Sequence, residues 1–173
     1  MVRTAYKLLR KKDGKLYPLY VFSQEETPIG VWLLAREGEL ASDGKSVKSR
    51  IGNLCFRPGW HLSDVPRATH IGLKDESGKI VRMHPDTVWC LCEYHDDVDY
   101  QEEADENGWK NGRFNARNAM LKRIPVNGCY RYKTSPIMYG KWIIAGEMRL
   151  VRVLSDSEVA DICHAQGVEP MPR

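Results

Sequence analysis

The residues best suited to chemistry in this 173-residue chain lie in one run, from Arg57 to His70. After a Pro-Gly pair, Trp60 offers an indole for stacking and His61 an imidazole that titrates near neutral pH. His61 and His70 could form a catalytic pair, and packing against neighbouring residues is the alternative for each. Gly59 allows a positive φ or the close approach of a flat ligand. The run therefore predicts part of a binding cleft.

Local signals predict how this run is folded. Residues 60–62 predict a short strand, on which successive side chains point to opposite faces. A cap at Ser63 or Asp64, followed by a proline in the first turn, predicts a helix over residues 65–70. A Ser-His-Asp triad draws its members from separate elements, so these neighbouring residues do not predict one.

The rest of the chain predicts a sheet with a few helices. An Asp-Gly turn joins residues 5–10 and 16–22 into a hairpin, with the second strand weakened by Pro18. Further strands are predicted over 30–35, 54–56, 87–94, 128–133, 141–145 and 148–154, and helices over 113–123 and 159–166. Polar stretches predict loops over 36–50, 74–86 and 96–112, the last with at most a turn or two of helix. The fold class is α+β: a curved, mostly antiparallel sheet with two or three flanking helices, in one domain over 1–173.

Composition narrows the function classes. A net charge of +3 and 42% hydrophobic residues are typical of a soluble globular protein and do not by themselves indicate nucleic-acid binding. No apolar run approaches the roughly 18 residues that span a bilayer, and the start of the chain lacks the apolar core of a signal peptide. An odd set of five scattered cysteines favours free thiols in a reducing cytoplasm. No Gly-x-Ser-x-Gly, His-Glu-x-x-His or P-loop sequence is present.

The sequence Cys90-x-Cys92-x-x-His95 could suggest a metal site. No second closely spaced Cys/His pair completes a four-ligand zinc set, so we predict no metal. On a strand the two thiols share one face, which favours buried structural cysteines.

Two segments resemble a known enzyme family. Gly59-Trp60-His61-Leu62-Ser63-Asp64-Val65-Pro66-Arg67-Ala68 is similar to the second motif of ADP-ribosyltransferases of the diphtheria-toxin and poly-ADP-ribose-polymerase type. The segment from Trp142 to Leu154 is similar to that family's closing β-hairpin. The resemblance implies an ADP-ribosyltransferase-like fold that binds NAD or another ligand containing ADP-ribose.

The resemblance also implies a set of site residues. His61 takes the position of the ring-stacking tyrosine, with Trp60 as the alternative one residue earlier. At the family's catalytic carboxylate position this chain has Lys141, and the nearest acid is Glu147, so transfer activity is expected to be weak or lost unless Glu147 reaches the cleft. The expected catalytic residues are Glu147 and His61, and the expected ligand-binding residues are Arg10, Gly59, Trp60, His61, Ser63, Tyr130 and Tyr132.

The chain also resembles accessory domains of large phage and mobile-element polypeptides, which share its Arg-Pro-Gly-Trp-His core and its Val-Leu-Ser-Asp-x-Glu-Val ending. This implies a setting in the cytoplasm of a bacterial host. It leaves two other functions open. One is a non-enzymatic protein that binds and inhibits a host protein through the acidic stretch 96–106. The other is a single-stranded nucleic-acid-binding module that uses Arg131, Lys133, Arg149 and Arg152 beside Tyr130 and Tyr132.

Overall fold

A computed structural model describes residues 1–136 and 138–173. The first strands are β1 (Val2–Lys12), β2 (Lys15–Tyr17), β3 (Trp32–Leu34), β4 (Ser46–Ser49), β5 (Gly52–Cys55), β6 (Trp60–Ser63), β7 (Leu73–Lys74), β8 (Ile80–Arg82), β9 (Thr87–His95) and β10 (Val98–Asp99). They are followed by helix α1 (Gln101–Gly108), β11 (Trp109–Lys110), β12 (Arg113–Phe114), a 3₁₀ turn (Ala116–Asn118), β13 (Gly128–Tyr132), β14 (Trp142–Ala145), β15 (Glu147–Val153) and helix α2 (Asp156–Ala165).

Nine strands form one large sheet, ordered β10-β13-β14-β6-β1-β9-β15-β3, with β2 paired to β1. Every pairing is antiparallel except that of β10 with β13. Strands β14 and β15 are separated by Gly146 alone, yet β6, β1 and β9 lie between them in the order. In a flat sheet that separation would be about 19 Å, whereas three consecutive residues span at most about 7 Å. The sheet therefore curves into a roll. The bent segment β14–β15 closes this roll, because β14 pairs with β6 at one end of the series β6-β1-β9 and β15 pairs with β9 at the other.

The rolled sheet separates two apolar clusters. Alternate side chains of β1, β6, β9, β14 and β15 point into the roll; these inner residues include Ala5, Leu9, Leu62, Cys90, Cys92, Ile143, Met148 and Leu150. Their neighbours point outward, against α1, α2 and the loops; these outer residues include Trp89, Ala104, Tyr130, Trp142, Ile144, Val159 and Cys163. The predicted α+β class with a curved, mostly antiparallel sheet is confirmed at this level.

The last helix follows its sequence signal closely. Ser155 accepts a hydrogen bond from the Glu158 amide, and the Glu158 side chain accepts from the Ser155 amide, which completes the predicted capping box. Gly167 has φ +76°, as expected for the glycine that ends a helix. Val159 and Cys163, four residues apart, are buried against the outer face of the sheet.

Removing this cap should have a measurable cost. We expect Ser155→Ala to lower the free energy of unfolding by about 1 kcal/mol, since the Glu158 amide loses its acceptor at the helix start. Chemical denaturation of the two proteins checks this value. Ser157→Ala, which alters an exposed serine of the same turn, serves as the control, and an equal loss in both variants would contradict the capping role.

Two predicted helices are absent. Residues 65–70 form bends and turns, because the Ser63 hydroxyl accepts from the Val65 amide and donates to the Val65 carbonyl instead of capping a helix. Residues 113–123 contain β12 and the 3₁₀ turn only. The short hairpin β11–β12 closes at Asn111-Gly112, whose φ values of +52° and +72° suit a two-residue turn.

The predicted closing hairpin is also wrong. Strands β14 and β15 do not pair with each other: β14 pairs with β13 and β6, and β15 with β9 and β3. The first hairpin, β1–β2, is confirmed, but β2 stops at Tyr17 before Pro18. The predicted polar loops over 36–50 and 74–86 contain strands of the small hairpins β4–β5 and β7–β8. Helix α1 gives the 96–112 segment its two helical turns.

Candidate functional site

Trp60 and His61 lie on opposite faces of the sheet, as the strand pattern predicts. Trp60 packs against the inner cluster and donates from Nε1 to the Leu33 carbonyl at 2.8 Å. His61 lies on the outer face, with its ring edge-on to Trp142 at 6.3 Å between centroids. The two rings therefore do not line one cleft wall, and the prediction that both contact the same ligand there is wrong.

Both nitrogens of His61 are engaged. Arg57 donates from Nε to Nε2 of His61 at 3.1 Å, so Nε2 must be the unprotonated nitrogen. Nδ1 then carries the proton and lies 3.1 Å from the Gly59 carbonyl, to which it donates. Burial, together with the positive charges of Arg57 and Lys7, holds the pKa of His61 well below its usual value. His61 is thus a neutral ring that orients Arg57.

Gly59 and Ser63 make contacts within the protein and do not line an open cleft. Gly59 has φ +138°, and an added Cβ would lie 2.5 Å from Ile144 Cγ2. The predicted positive φ is confirmed, and the neighbour that approaches Gly59 closely is strand β14. Ser63 is fully buried, and its hydroxyl is used by Val65.

Three other predicted ligand-binding residues lie in different surroundings. Tyr130 and Tyr132 are buried in the outer cluster, on the same face as His61. The Tyr132 hydroxyl donates to the Arg117 carbonyl at 3.0 Å. Arg10 donates to the Ser23 carbonyl at 2.5 Å, far along β1 from the point where Tyr6 pairs with Ser63. The structure brings His61, Tyr130 and Tyr132 to one face and leaves Arg10 apart.

Glu147 lies in a separate group of polar side chains on β9, β15 and β3. Its Oε1 is 3.0 Å from Nε2 of His95, and the His95 ring stacks on Trp32 at 4.4 Å. Arg149 lies over the same indole at 4.9 Å and pairs with Glu93. Glu147, the predicted catalytic acid, is thus bound to an imidazole and is not grouped with His61.

The predicted nucleic-acid face of β13 and β15 does not form. Arg131 pairs with Asp64, Arg149 with Glu93 and Arg152 with Glu158. Strand β15 is not the neighbour of β13, since four strands separate them in the sheet order. Arg131 therefore lies on β13, apart from Arg149 and Arg152 on β15, and each of the three forms an ion pair with a carboxylate.

Cys90 and Cys92 are fully buried inside the roll, as predicted for structural thiols. Burial raises the pKa of Cys90 to about 11 and that of Cys92 to about 12. His95 lies at an odd-numbered position of β9, on the face opposite the two thiols. Within residues 1–136 and 138–173 no group of three or more His, Cys, Asp or Glu is placed to hold a metal ion, and no helix is long and apolar enough to cross a membrane.

Lys7 is a buried cation that the sequence analysis missed. It lies between Ala5 and Leu9 on the inner face of β1, with 8% of its surface exposed. Its Nζ donates to the His61 carbonyl at 3.1 Å and lies 5.4 Å from the centre of the Trp60 ring. Burial lowers the pKa of Lys7 to about 8. In the sequence, the alternation of side chains along β1 places Lys7 on the same face as Ala5 and Leu9, and this pattern could have predicted its burial.

The clearest exposed feature is what we call the cationic-aromatic surface, residues 109–118 together with Lys122. All ten residues from 109 to 118 are exposed. Trp109 is 59% and Phe114 47% exposed, and their ring centroids are 5.3 Å apart. The hairpin β11–β12 also places Lys110 opposite Arg113. One short hairpin thus carries two exposed rings on one face and two exposed cations at the adjacent pair of positions.

A shallow groove of about 700 Å³ adjoins these rings. Its lining includes Trp109, Lys110, Asn118, Met120 and Lys122. A second depression of about 440 Å³ is lined only by cations and amides, namely Lys110, Asn111, Arg113, Asn115 and Asn118. Among the residues that line these two depressions, Glu103 is the one acid. Arg123 donates hydrogen bonds to both of its carboxylate oxygens. The surface is therefore suited to an anionic ligand.

Sequence reasoning placed Phe114 in a helix and missed this surface. The available signal was Trp109-Lys110-Asn111-Gly112-Arg113-Phe114, in which an Asn-Gly pair separates two aromatic residues. Such a pair is the strongest short-range indication of a two-residue hairpin.

No protein-family model, curated protein or solved structure matches this chain.

Proposed function

We propose that this protein binds single-stranded nucleic acid on its cationic-aromatic surface. The observation that carries the proposal is the exposed pair Trp109 and Phe114 on a hairpin that also carries Lys110 and Arg113, with Trp109 and Lys110 both lining the groove. Exposed ring faces stack on unpaired bases, and neighbouring cations bind the phosphates between those bases. This surface differs from the face of β13 and β15 for which the sequence predicts nucleic-acid binding.

The charge pattern supports a phosphate backbone as the ligand. Residues 109–118 carry three cations, Lys110, Arg113 and Arg117, and no acidic residue. Lys122 adds a fourth at the edge of the groove. Asn111, Asn115 and Asn118 supply amide groups that can hydrogen-bond to sugars and base edges.

Exposed tryptophan and arginine also occur where proteins bind one another. A ten-residue stretch with three cations and no acid favours nucleic acid over a protein surface of mixed charge. The NAD-binding and host-protein hypotheses remain predictions from the resemblances. The NAD-binding hypothesis would require Trp60, on the inner face of the sheet, and Tyr130, on the outer face, to contact the same ligand.

Removing the larger ring should weaken binding strongly. We expect Trp109→Ala to raise the Kd for a fluorescent 12-nucleotide single strand by roughly 5- to 150-fold, the value of one stacked base. Fluorescence anisotropy at low salt, with DNA and RNA strands tested separately, measures the change.

Tyr139→Ala, which removes another exposed aromatic ring, is the matched control and should leave Kd unchanged.

Lys110→Ala should also reduce the slope of log Kd against log salt by about 0.7, because one phosphate contact is lost. Failure of the wild-type protein to bind either strand at low salt would overturn the proposal, and so would equal binding by Trp109→Ala.

A further inference from the structure

Arg57 lies among rings on the outer face of the sheet and has no counter-ion. Its guanidinium carbon is 3.9 Å from the centre of the Tyr132 ring, and Nε donates to His61. Arg131 and Arg149 each pair with a carboxylate, whereas Arg57 pairs with none among residues 1–136 and 138–173. A cation that is partly withdrawn from water is costly unless an anion reaches it.

Two polar atoms near Arg57 also lack partners. The Tyr130 side chain is 1% exposed, and its hydroxyl proton has no acceptor within the described part of the chain, although the backbone of Leu121 lies beside the oxygen. Within the same part of the chain the buried Nδ1 of His70 forms no hydrogen bond, and the His70 ring lies edge-on to Trp142 at 5.7 Å. Trp142 also contacts the ring of His61, so it connects the two imidazoles beside Arg57. Burial, and next the charge of Arg57, lower the pKa of His70, so a neutral imidazole is available there.

We infer that Arg57, Tyr130 and His70 form a binding site for a phosphate group. With Nε held by His61 and the guanidinium also close to the Tyr132 hydroxyl, the remaining Nη hydrogens of Arg57 are left to bind phosphate oxygens. The Tyr130 hydroxyl and the His70 ring nitrogen add two further possible contacts. A carboxylate has only two oxygens for this set of donors, whereas a terminal phosphate has three.

This phosphate site adjoins the groove but does not depend on the proposed function. The Tyr132 hydroxyl binds the Arg117 carbonyl, and Cys55 Sγ lies 3.6 Å from Met120 Sδ, with Met120 lining the groove. The phosphate can therefore belong to the end of a bound strand or to a free nucleotide with a terminal phosphate, such as ADP.

Titration with inorganic phosphate tests the site, with chloride holding ionic strength constant. We expect saturable binding to the wild-type protein and a rise in Tm. Arg57→Gln should weaken the affinity at least 10-fold. Arg152→Gln is the charge-matched control and should bind as the wild type does, since Arg152 is exposed and paired with Glu158. Tyr130→Phe should weaken phosphate several-fold, and it carries the test if Arg57→Gln does not fold.

No saturable phosphate binding by the wild-type protein would overturn the inference. So would equal binding by Arg57→Gln and Arg152→Gln, or by wild type and Tyr130→Phe. The affinities of ADP, a 5′-phosphorylated strand and a 5′-hydroxyl strand are then compared in the wild type and in Arg57→Gln, and the ligand whose affinity depends on Arg57 identifies the source of the phosphate. A 5′-hydroxyl strand that binds as well as the phosphorylated one assigns the site to free nucleotides, and the absence of all strand binding contradicts the proposed function alone.

Discussion

Replacing Lys7 by methionine should make this protein more stable at neutral pH. Burial lowers the pKa of Lys7 from 10.5 to about 8, so the charged amine is disfavoured in the folded state. By linkage this difference destabilises the folded protein by about 3 kcal/mol at pH 7, and the lost hydrogen bond to the His61 carbonyl offsets about 1 kcal/mol of the gain. We expect Lys7→Met to raise the free energy of unfolding by about 2 kcal/mol, measured by urea denaturation at pH 7.

The effect should depend on pH in a defined direction. Between about pH 8 and 10.5 the unfolded chain binds the Lys7 proton more tightly, so this group adds stability as pH rises. The buried thiols of Cys90 and Cys92, which face Lys7 from β9, act in the opposite direction above pH 9, because their pKa values are raised. The difference between variant and wild type isolates Lys7 and should shrink through this window.

Lys11→Met is the matched control, since Lys11 is an exposed lysine of the same strand. It should change stability by less than about 0.5 kcal/mol, with little dependence on pH. If Lys7→Met were less stable than the wild type at pH 7, by an amount constant up to pH 10, the buried charge would not be the cause.

Gly146→Ala should destabilise the fold by about 3 kcal/mol or more. A Cβ on Gly146 would collide with the Pro125 carbonyl oxygen and lie 3.0 Å from its carbon, and these are backbone atoms that cannot rotate away. The Gly146 amide donates to the Gly128 carbonyl, and its own carbonyl accepts from Ala35, so the residue is fixed from both sides. Thermal unfolding should show Tm lower by roughly 6–12 °C.

Gly78→Ala separates this collision from the general effect of adding a methyl group. Gly78 has φ +83° and nothing within 4 Å of an added Cβ. Only backbone strain of about 1 kcal/mol is expected there. Equal Tm values for the two alanine variants would show that Gly146 is not sterically required.

Much of the sheet could be predicted because its strands carry local signals. Residues 87–94 alternate between inner and outer side chains, and the observed strand, Thr87–His95, differs by one residue. Ser155 and Glu158 likewise identified the last helix from neighbouring positions. In both cases the residues that determine the element lie within it.

The errors arose where distant contacts determine the structure. Consecutive strands usually pair, so residues 141–154 predicted a hairpin, but β14 pairs with β6, about 80 positions earlier in the chain. Phe114, Met120 and Leu121 have helical spacing, yet the Asn-Gly turn and the Asn107 bond to the Met120 carbonyl hold the segment in another form. The group around Arg57 could not be predicted, because Tyr130 and Tyr132 reach it only through the pairing of β13 with β14.

The bent segment β14–β15 also constrains the order of events during synthesis. Strand β1 can pair with β9 once residue 95 has left the ribosome, but one edge of each of β6 and β9 then stays open until residues 142–153 emerge. Those exposed edges are templates for pairing with another chain. A nascent polypeptide paused between these two points is consequently the species most prone to aggregate, and the one that a chaperone would need to protect.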